Sequence, residues 1–166
     1  MTKDQLKQAV CDIKQHRDDI ISKLVQFSKT DSLLFWDKDT AVAKKQEKLW
    51  APVLKWAGEY IQAKYVPTDE LKVNEQDATS MYAMRKFMEN MSDEELAAFY
   101  LASMNMQSEL LAAALVKGRI NADQAYNAAY LEEIHQAELW GHDKQADKRR
   151  QILKDELTDI ENFLKK

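Results

Sequence analysis

The sequence is short of the residues that interrupt helices. Its 166 residues contain three glycines and two prolines. Strand-rich folds need turn chemistry every few residues, so this shortage argues against them and for helices joined by brief connections. Cysteine is nearly absent as well. Cys11 stands alone, which rules out an internal disulfide and fits a reducing compartment. There is no basic stripe and the net charge is −4, so nucleic acid is not expected as a partner. The opening M-T-K-D-Q-L-K-Q lacks the apolar run of a signal peptide and carries an acid, which transit peptides avoid. A cytoplasmic chain, or a mature product already trimmed, is therefore expected.

What is present is helical periodicity. A chain of this length, 45% hydrophobic and 31% charged, suits one globular domain spanning residues 1–166. Leu6, Val10, Ile13, Ile20, Ile21, Leu24 and Phe27 mark an amphipathic helix over 3–28. Thr30–Asp39 breaks the pattern, yet its Leu33, Leu34, Phe35 and Trp36 are too apolar for a free loop and are expected to pack on the body. A helix restarts near Thr40 and runs toward Tyr65, with Pro52 marking either a kink or a fresh start. Trp50 and Trp56 flank it as core fillers. A connection follows over 66–74, then a helix over 75–90 with Met81, Met84, Phe87 and Met88 inward.

Ser92-Asp93-Glu94-Glu95 reads as a capping box, with Met91 and Leu96 placed for a hydrophobic staple. The stretch that follows has one charged residue, Glu109, between Leu96 and Val116. A membrane span needs about 20 apolar residues. Asn105, Gln107, Ser108 and Glu109 in mid-run would be costly in lipid, so no membrane insertion is expected. The pattern predicts a nearly fully apolar central helix over about 92–117, within an all-α, compact bundle of about six helices. Gly118 stops it. Asn121 with Gln124 starts a helix that ends at Gly141, and a last helix over 143–164 carries Ile152, Leu157, Ile160 and Leu164 inward.

The densest polar cluster is Leu131–Gly141, L-E-E-I-H-Q-A-E-L-W-G. At about 100° per residue, Tyr130, Leu131, Ile134 and Ala137 share a core-facing stripe. Glu138 falls in that sector, either buried with a partner or placed where the stripe runs out. Glu132, His135, Gln136 and Leu139 lie to one side, Glu133 and Trp140 to the other. Three uses are open: metal ligand, catalyst, or gripping surface. Glu132 and His135 form a Glu-x-x-His, but bridged di-metal bundles need that motif twice with two further glutamates. His135 and His142 have no cysteine to complete a zinc site. Cys11 and His16 fall on different faces, and no phosphate loop or nucleophile elbow occurs. No catalytic residue, metal or cofactor is expected. Charge supplies the third option. From Glu89 to Glu138 nine acids face only Lys117 and Arg119, which makes either a solvated acidic face or a surface selecting a basic partner.

Several segments together resemble the chaperones that assemble the catalytic sector of ATP synthase by holding its alpha subunit. They are Thr30-Asp31-Ser32-Leu33-Leu34-Phe35-Trp36; Gln46 with Trp50-x-Pro52 and Trp56; Ser108 in a run ending Ala112-Ala113-Ala114-Leu115; and Leu131-Glu132 with Gln136 and Trp140-Gly141. The resemblance implies a non-enzyme that binds the unassembled alpha subunit and shields it until beta joins. It places the family's important acid on Glu132, with Glu133 the near-equivalent, and a site in the bacterial cytoplasm or the mitochondrial matrix. Two departures stand out. Long members carry a β-rich domain before the helical part, whereas this chain opens on a helix and matches the helical part only. Gln107 also stands where a Gly commonly precedes the Ser.

The expected partner-binding residues are thus Glu132, Glu133, Gln136, Leu139 and Trp140, with exposed Leu139 adding apolar contact. The competing readings are a helical interaction or regulatory module with another client, and a metal-dependent helical-bundle enzyme. Oligomeric state is not legible.

Overall fold

A computed structural model describes residues 3–72 and 74–165, and among these every regular element is helical. In chain order they are α1 (Lys3–Ser28), a 3-10 turn (Ser32–Leu34), α2 (Thr40–Trp56) running into a π-helical turn (Ala57–Ile61), α3 (Ala78–Glu89), α4 (Asp93–Met106), α5 (Glu109–Val116), α6 (Ala122–Ala129), α7 (Leu131–Trp140) and α8 (Lys144–Leu164). The all-α class is as expected. The count is higher because two expected helices are each divided.

The first division falls inside the apolar run. Rather than one helix over 92–117, α4 ends at Gln107, whose φ of 54° and ψ of 35° are left-handed, and Ser108 caps α5 through the Leu111 amide at 3.0 Å. Left-handed backbone is uncommon for any side-chain-bearing residue. That explains why glycine suits the position before the serine. The second division is at Tyr130 (φ −106°, ψ 24°), which separates α6 from α7. Its hydroxyl donates to the Asn105 carbonyl at 2.6 Å, tying the joint back to α4.

α4 forms the centre, packed between α1, α5 and α8. It earns that position by being apolar nearly all round: Leu96, Ala97, Ala98, Phe99, Ala102 and Met106 are all buried. α5 is more extreme, buried from Glu109 to Leu115. The run of Ala112, Ala113 and Ala114 lets neighbouring helices come close, while Leu110 and Leu111 fill volume. The start of α4 is half the expected capping box. Ser92 accepts from the Glu95 amide at 3.1 Å, but the Glu95 carboxylate goes to Lys117 at 2.6 Å. At α6 the reciprocal box between Asn121 and Gln124 is complete.

Local details depart from strict periodicity where a partner overrides it. α1 kinks at His16 (φ −132°, ψ 33°). Next to the kink, Arg17 donates to the carbonyls of Met88, Glu89 and Met91 and pairs with Asp93, clamping the α3–α4 turn. Pro52 lies within α2 and does not begin a fresh helix. Trp50 is buried and donates to the Ala128 carbonyl at 2.8 Å. Trp56 is only partly buried and stacks on Tyr60. Phe27 and Ile152, expected inside, are each 51% exposed; Phe27 stands at the end of α1, and Ile152 lies off the face of α8 that buries Leu157 and Ile160. Gly118 (φ 72°) follows α5, and Gly141 (φ 95°, ψ 165°) ends α7. The latter is not the left-handed helical turn expected but a more extended conformation essentially confined to glycine.

The Thr30–Asp39 connection packs as expected, with Leu33 and Leu34 fully buried. Its anchor is Asp31. One carboxylate oxygen accepts from the Leu33 amide at 3.0 Å and the other from the Leu110 amide at 2.9 Å. A single buried side chain therefore caps the 3-10 turn and the first turn of α5. No helix among the described residues is long and apolar enough to cross a membrane.

Candidate functional site

α7 is oriented by what it buries. Leu131, His135 and Ala137 face inward, which leaves Glu132, Gln136, Glu138, Leu139 and Trp140 toward solvent. His135 is buried although the helical wheel set it on the flank with Glu132, Gln136 and Leu139. Its Nδ1 lies 3.0 Å from the Lys45 ammonium on α2. An ammonium can only donate, so this ring nitrogen is the acceptor. Glu132 and His135 of the Glu-x-x-His thus meet neighbouring residues of α2, Gln46 and Lys45, the histidine buried and the carboxylate at the surface. Among the described residues no group of three His, Cys, Asp or Glu is placed to hold a metal ion.

The three acids of α7 differ in how they are neutralised. Glu138 is exposed and pairs with Lys45 at 3.1 Å, so it marks the end of the apolar stripe. Glu133 meets Arg149 and Arg150 of α8, and Arg150 is itself buried. Glu132 has no ion pair among the described residues. Its one hydrogen bond is a long one, from the Gln46 side-chain amide at 3.4 Å. Partial burial and then the negative charge of Asp37 hold its carboxyl above the usual range. Both effects penalise the charged form, and a cation brought from outside would relieve them.

Glu132 sits between two shallow grooves. One, of about 430 Å³, includes Gln136, Trp140 and Arg150. The other, about 340 Å³, includes Trp36, Lys38, Glu70 and Leu71. Asp37 and Glu132 border both. At the end of α7, Leu139 is 59% exposed and Trp140 81%. The exposure expected of Leu139 is present, and Trp140 exceeds it. The structure thus brings Glu132, Gln136 and Trp140 to one groove and puts Leu139 next to them in the chain, while Glu133, on the same groove, is held by arginines.

Sequence reasoning did not assign Asp37, Gln46 or Leu71 to this surface, although Gln46 stood among the residues that carry the resemblance. Leu71 is fully exposed and shares the second groove with Glu132. A lone leucine between Glu70 and Lys72 in a proline-containing connection was the signal available for it. Asp37 lies in the Thr30–Asp39 connection, already expected to pack on the body, but nothing local links it to a residue 95 positions on.

Fold and surface together define an all-helical unit whose most distinctive surface is an unpaired acid beside exposed apolar side chains. Comparison with known proteins is more particular. Residues 1–58 match the family model of the ATP12 chaperone protein. The crystal structure of Atp12 from Paracoccus denitrificans superposes with a TM-score of 0.88 at 25% identity, covering 94% of this chain and 67% of that one. A point mutant of the same protein matches equally well. The Atu1473 protein of Agrobacterium tumefaciens, described as a candidate chaperone, gives 0.85 at 26% identity, covering 95% of this chain and 59% of that one. No curated protein matches in sequence. The chain therefore has an ATP12-type helical fold, similar to that family in sequence over its first third and in structure over nearly its whole length.

Proposed function

We propose that this protein is an assembly chaperone for the catalytic sector of ATP synthase, a non-enzyme that binds the unassembled alpha subunit before beta joins. The helical unit, taken as a single domain over residues 1–166, would act as the counterpart of the helical part of the ATP12 proteins. The observation that carries the reading to particular residues is Glu132: of the acids on α7, it alone lacks a cation among the described residues. A basic group on the client would take that place. Leu139 and Trp140 would supply the apolar area that acids cannot, with Gln136 adding a polar contact. Charge at such a surface selects and orients, while buried aromatic anchors carry most of the affinity. Glu133 is the weaker candidate because Arg149 and Arg150 already neutralise it.

A pull-down against purified alpha and beta subunits tests this reading. The wild type is expected to retain alpha and not beta, and Glu132→Lys to lose alpha by roughly tenfold or more, as for truncated hot spots. Failure of the wild type to retain alpha refutes the proposal. Recovery of an unrelated client through the same residues would support the alternative, a helical interaction module with another partner.

A further inference from the structure

A second pocket, away from α7, has a different composition. About 320 Å³ in size, it is lined by Phe27, Thr30, Ser103, Met104, Gln107 and Glu109. Glu109 is the puzzle of the sequence, the one charged residue in the apolar run. It is 3% exposed, and no salt bridge among the described residues reaches it. Ser103 supplies an independent sign. Its hydroxyl is buried in α4, lines the same pocket and makes no hydrogen bond among the described residues. Buried polar groups are nearly always paired, yet the Ser103 hydroxyl is not. The Glu109 carboxyl beside it has its own backbone amide as donor but no cation among the described residues. The rim is mixed, with apolar Phe27 half exposed and Met104 41% exposed beside the exposed Thr30 and Gln107.

We propose that this pocket receives an arginine side chain of a partner polypeptide, its guanidinium meeting Glu109 and Ser103 and its methylene stem lying between Phe27 and Met104. The need for several donors in a fork, with a less strongly hydrated head, favours guanidinium over ammonium. The inference requires only that the protein binds polypeptides, and it stands or falls separately from the Glu132 surface.

The charge around Glu109 is consistent with this occupant. Asp31 approaches from the 3-10 turn and Tyr65 from the segment after α2, whereas the pocket residues of α1 and α4 are uncharged. Burial first, and then the Asp31 charge, push the Glu109 carboxyl up to about 8. A bound guanidinium would favour the ionised form, so binding and proton release are linked.

The test uses the whole protein with two capped tripeptides, acetyl-Ala-Arg-Ala-amide and its citrulline counterpart, which keeps the shape without the charge. NMR would follow the backbone amides of Ser103, Met104 and Gln107 and the side-chain carboxyl carbon of Glu109. Near pH 9 the arginine peptide is expected to give a saturable shift at these residues and move the Glu109 titration acidward. Affinity should fall roughly a hundredfold by about pH 6, tenfold for each unit below the carboxyl's midpoint. Glu109→Gln, checked as folded by its thermal transition, should lose this response. The proposal is overturned by no shift at tens of millimolar peptide, by equal shifts from the citrulline peptide, by undiminished binding to Glu109→Gln, or by shifts confined to Glu132 and Asp37.

Discussion

Replacing Glu109 by glutamine should weaken an unusual pH dependence of stability. In the unfolded chain this carboxyl ionises at 4.5, and in the fold it keeps its proton to about 8. Between those values the native state holds a proton that the unfolded state has lost. Stability therefore falls as pH rises, by about 1.4 kcal/mol per unit for a whole proton. It is fully present below 4.5 and lost as pH climbs through 8. Asp31, pushed up to about 6 by burial, has the same sign over a lower window and titrates against Glu109 as a coupled pair. From pH 5 to 7 the Glu109 share alone is roughly 2–3 kcal/mol, a large part of the 5–15 kcal/mol typical of a domain. Glutamine keeps the shape and removes the titration. Urea unfolding at several pH values checks this. The wild type should lose stability from pH 5 to 8, and Glu109→Gln should lose distinctly less and be the more stable variant near pH 8. Parallel profiles for the two proteins would refute the reasoning, because Glu109 would then not be held protonated by the fold.

Two further substitutions separate scaffold from surface. Asp31→Ala removes the acceptor for two buried amides, Leu33 and Leu110, at about 1–3 kcal/mol each. Its destabilisation, read by denaturant midpoint, should be larger near pH 5 than near pH 8, since the wild-type carboxyl itself becomes costly as it ionises through about 6. Leu139→Ser and Trp140→Ala should each shift stability by no more than about 0.5 kcal/mol, because both side chains are mostly exposed. The same variants should weaken capture of the alpha subunit, and unchanged capture by both would remove the end of α7 from the contact surface.

Local signals read well in the sequence because their causes are local. Ser92 and Asn121 cap the helices they precede, and Gln124, in the first turn of α6, bonds back to Asn121. Leu33 and Leu34 are buried because an apolar connection has nowhere else to go, and Leu139 is exposed because α7 buries its other side. The failures have distant causes. Gln107 itself does not announce a break, since glutamine is an ordinary helix former, and the serine after it, a favoured N-cap type, was a weak signal inside an apolar run. The break is held by Ser108 together with a carboxylate supplied by Asp31. Lys45 on α2 has the same effect on His135, giving an inward histidine a partner that a helical wheel cannot contain. The neutralised acids of α7 could not be told from the unpaired one, because their cations come from other helices, Arg149 and Arg150 of α8 for Glu133 and Lys45 of α2 for Glu138. The chemical character of the surface was legible residue by residue, whereas its pairing was not.

The Asp31 bridge also bears on how the protein is made. Its second acceptor bond waits for Leu110, 79 residues later in the chain. At the usual pace of translation, about 5–20 residues per second, that is roughly 4–16 seconds of synthesis. Throughout that interval the segment around Leu33 and Leu34 lacks its final cover, since α4 and α5 are still to come. One of the two bonds that fix this early connection thus cannot form until the start of α5 has been made. A protein proposed to guard another subunit's sticky surface would itself pass through a stage with one of its own exposed.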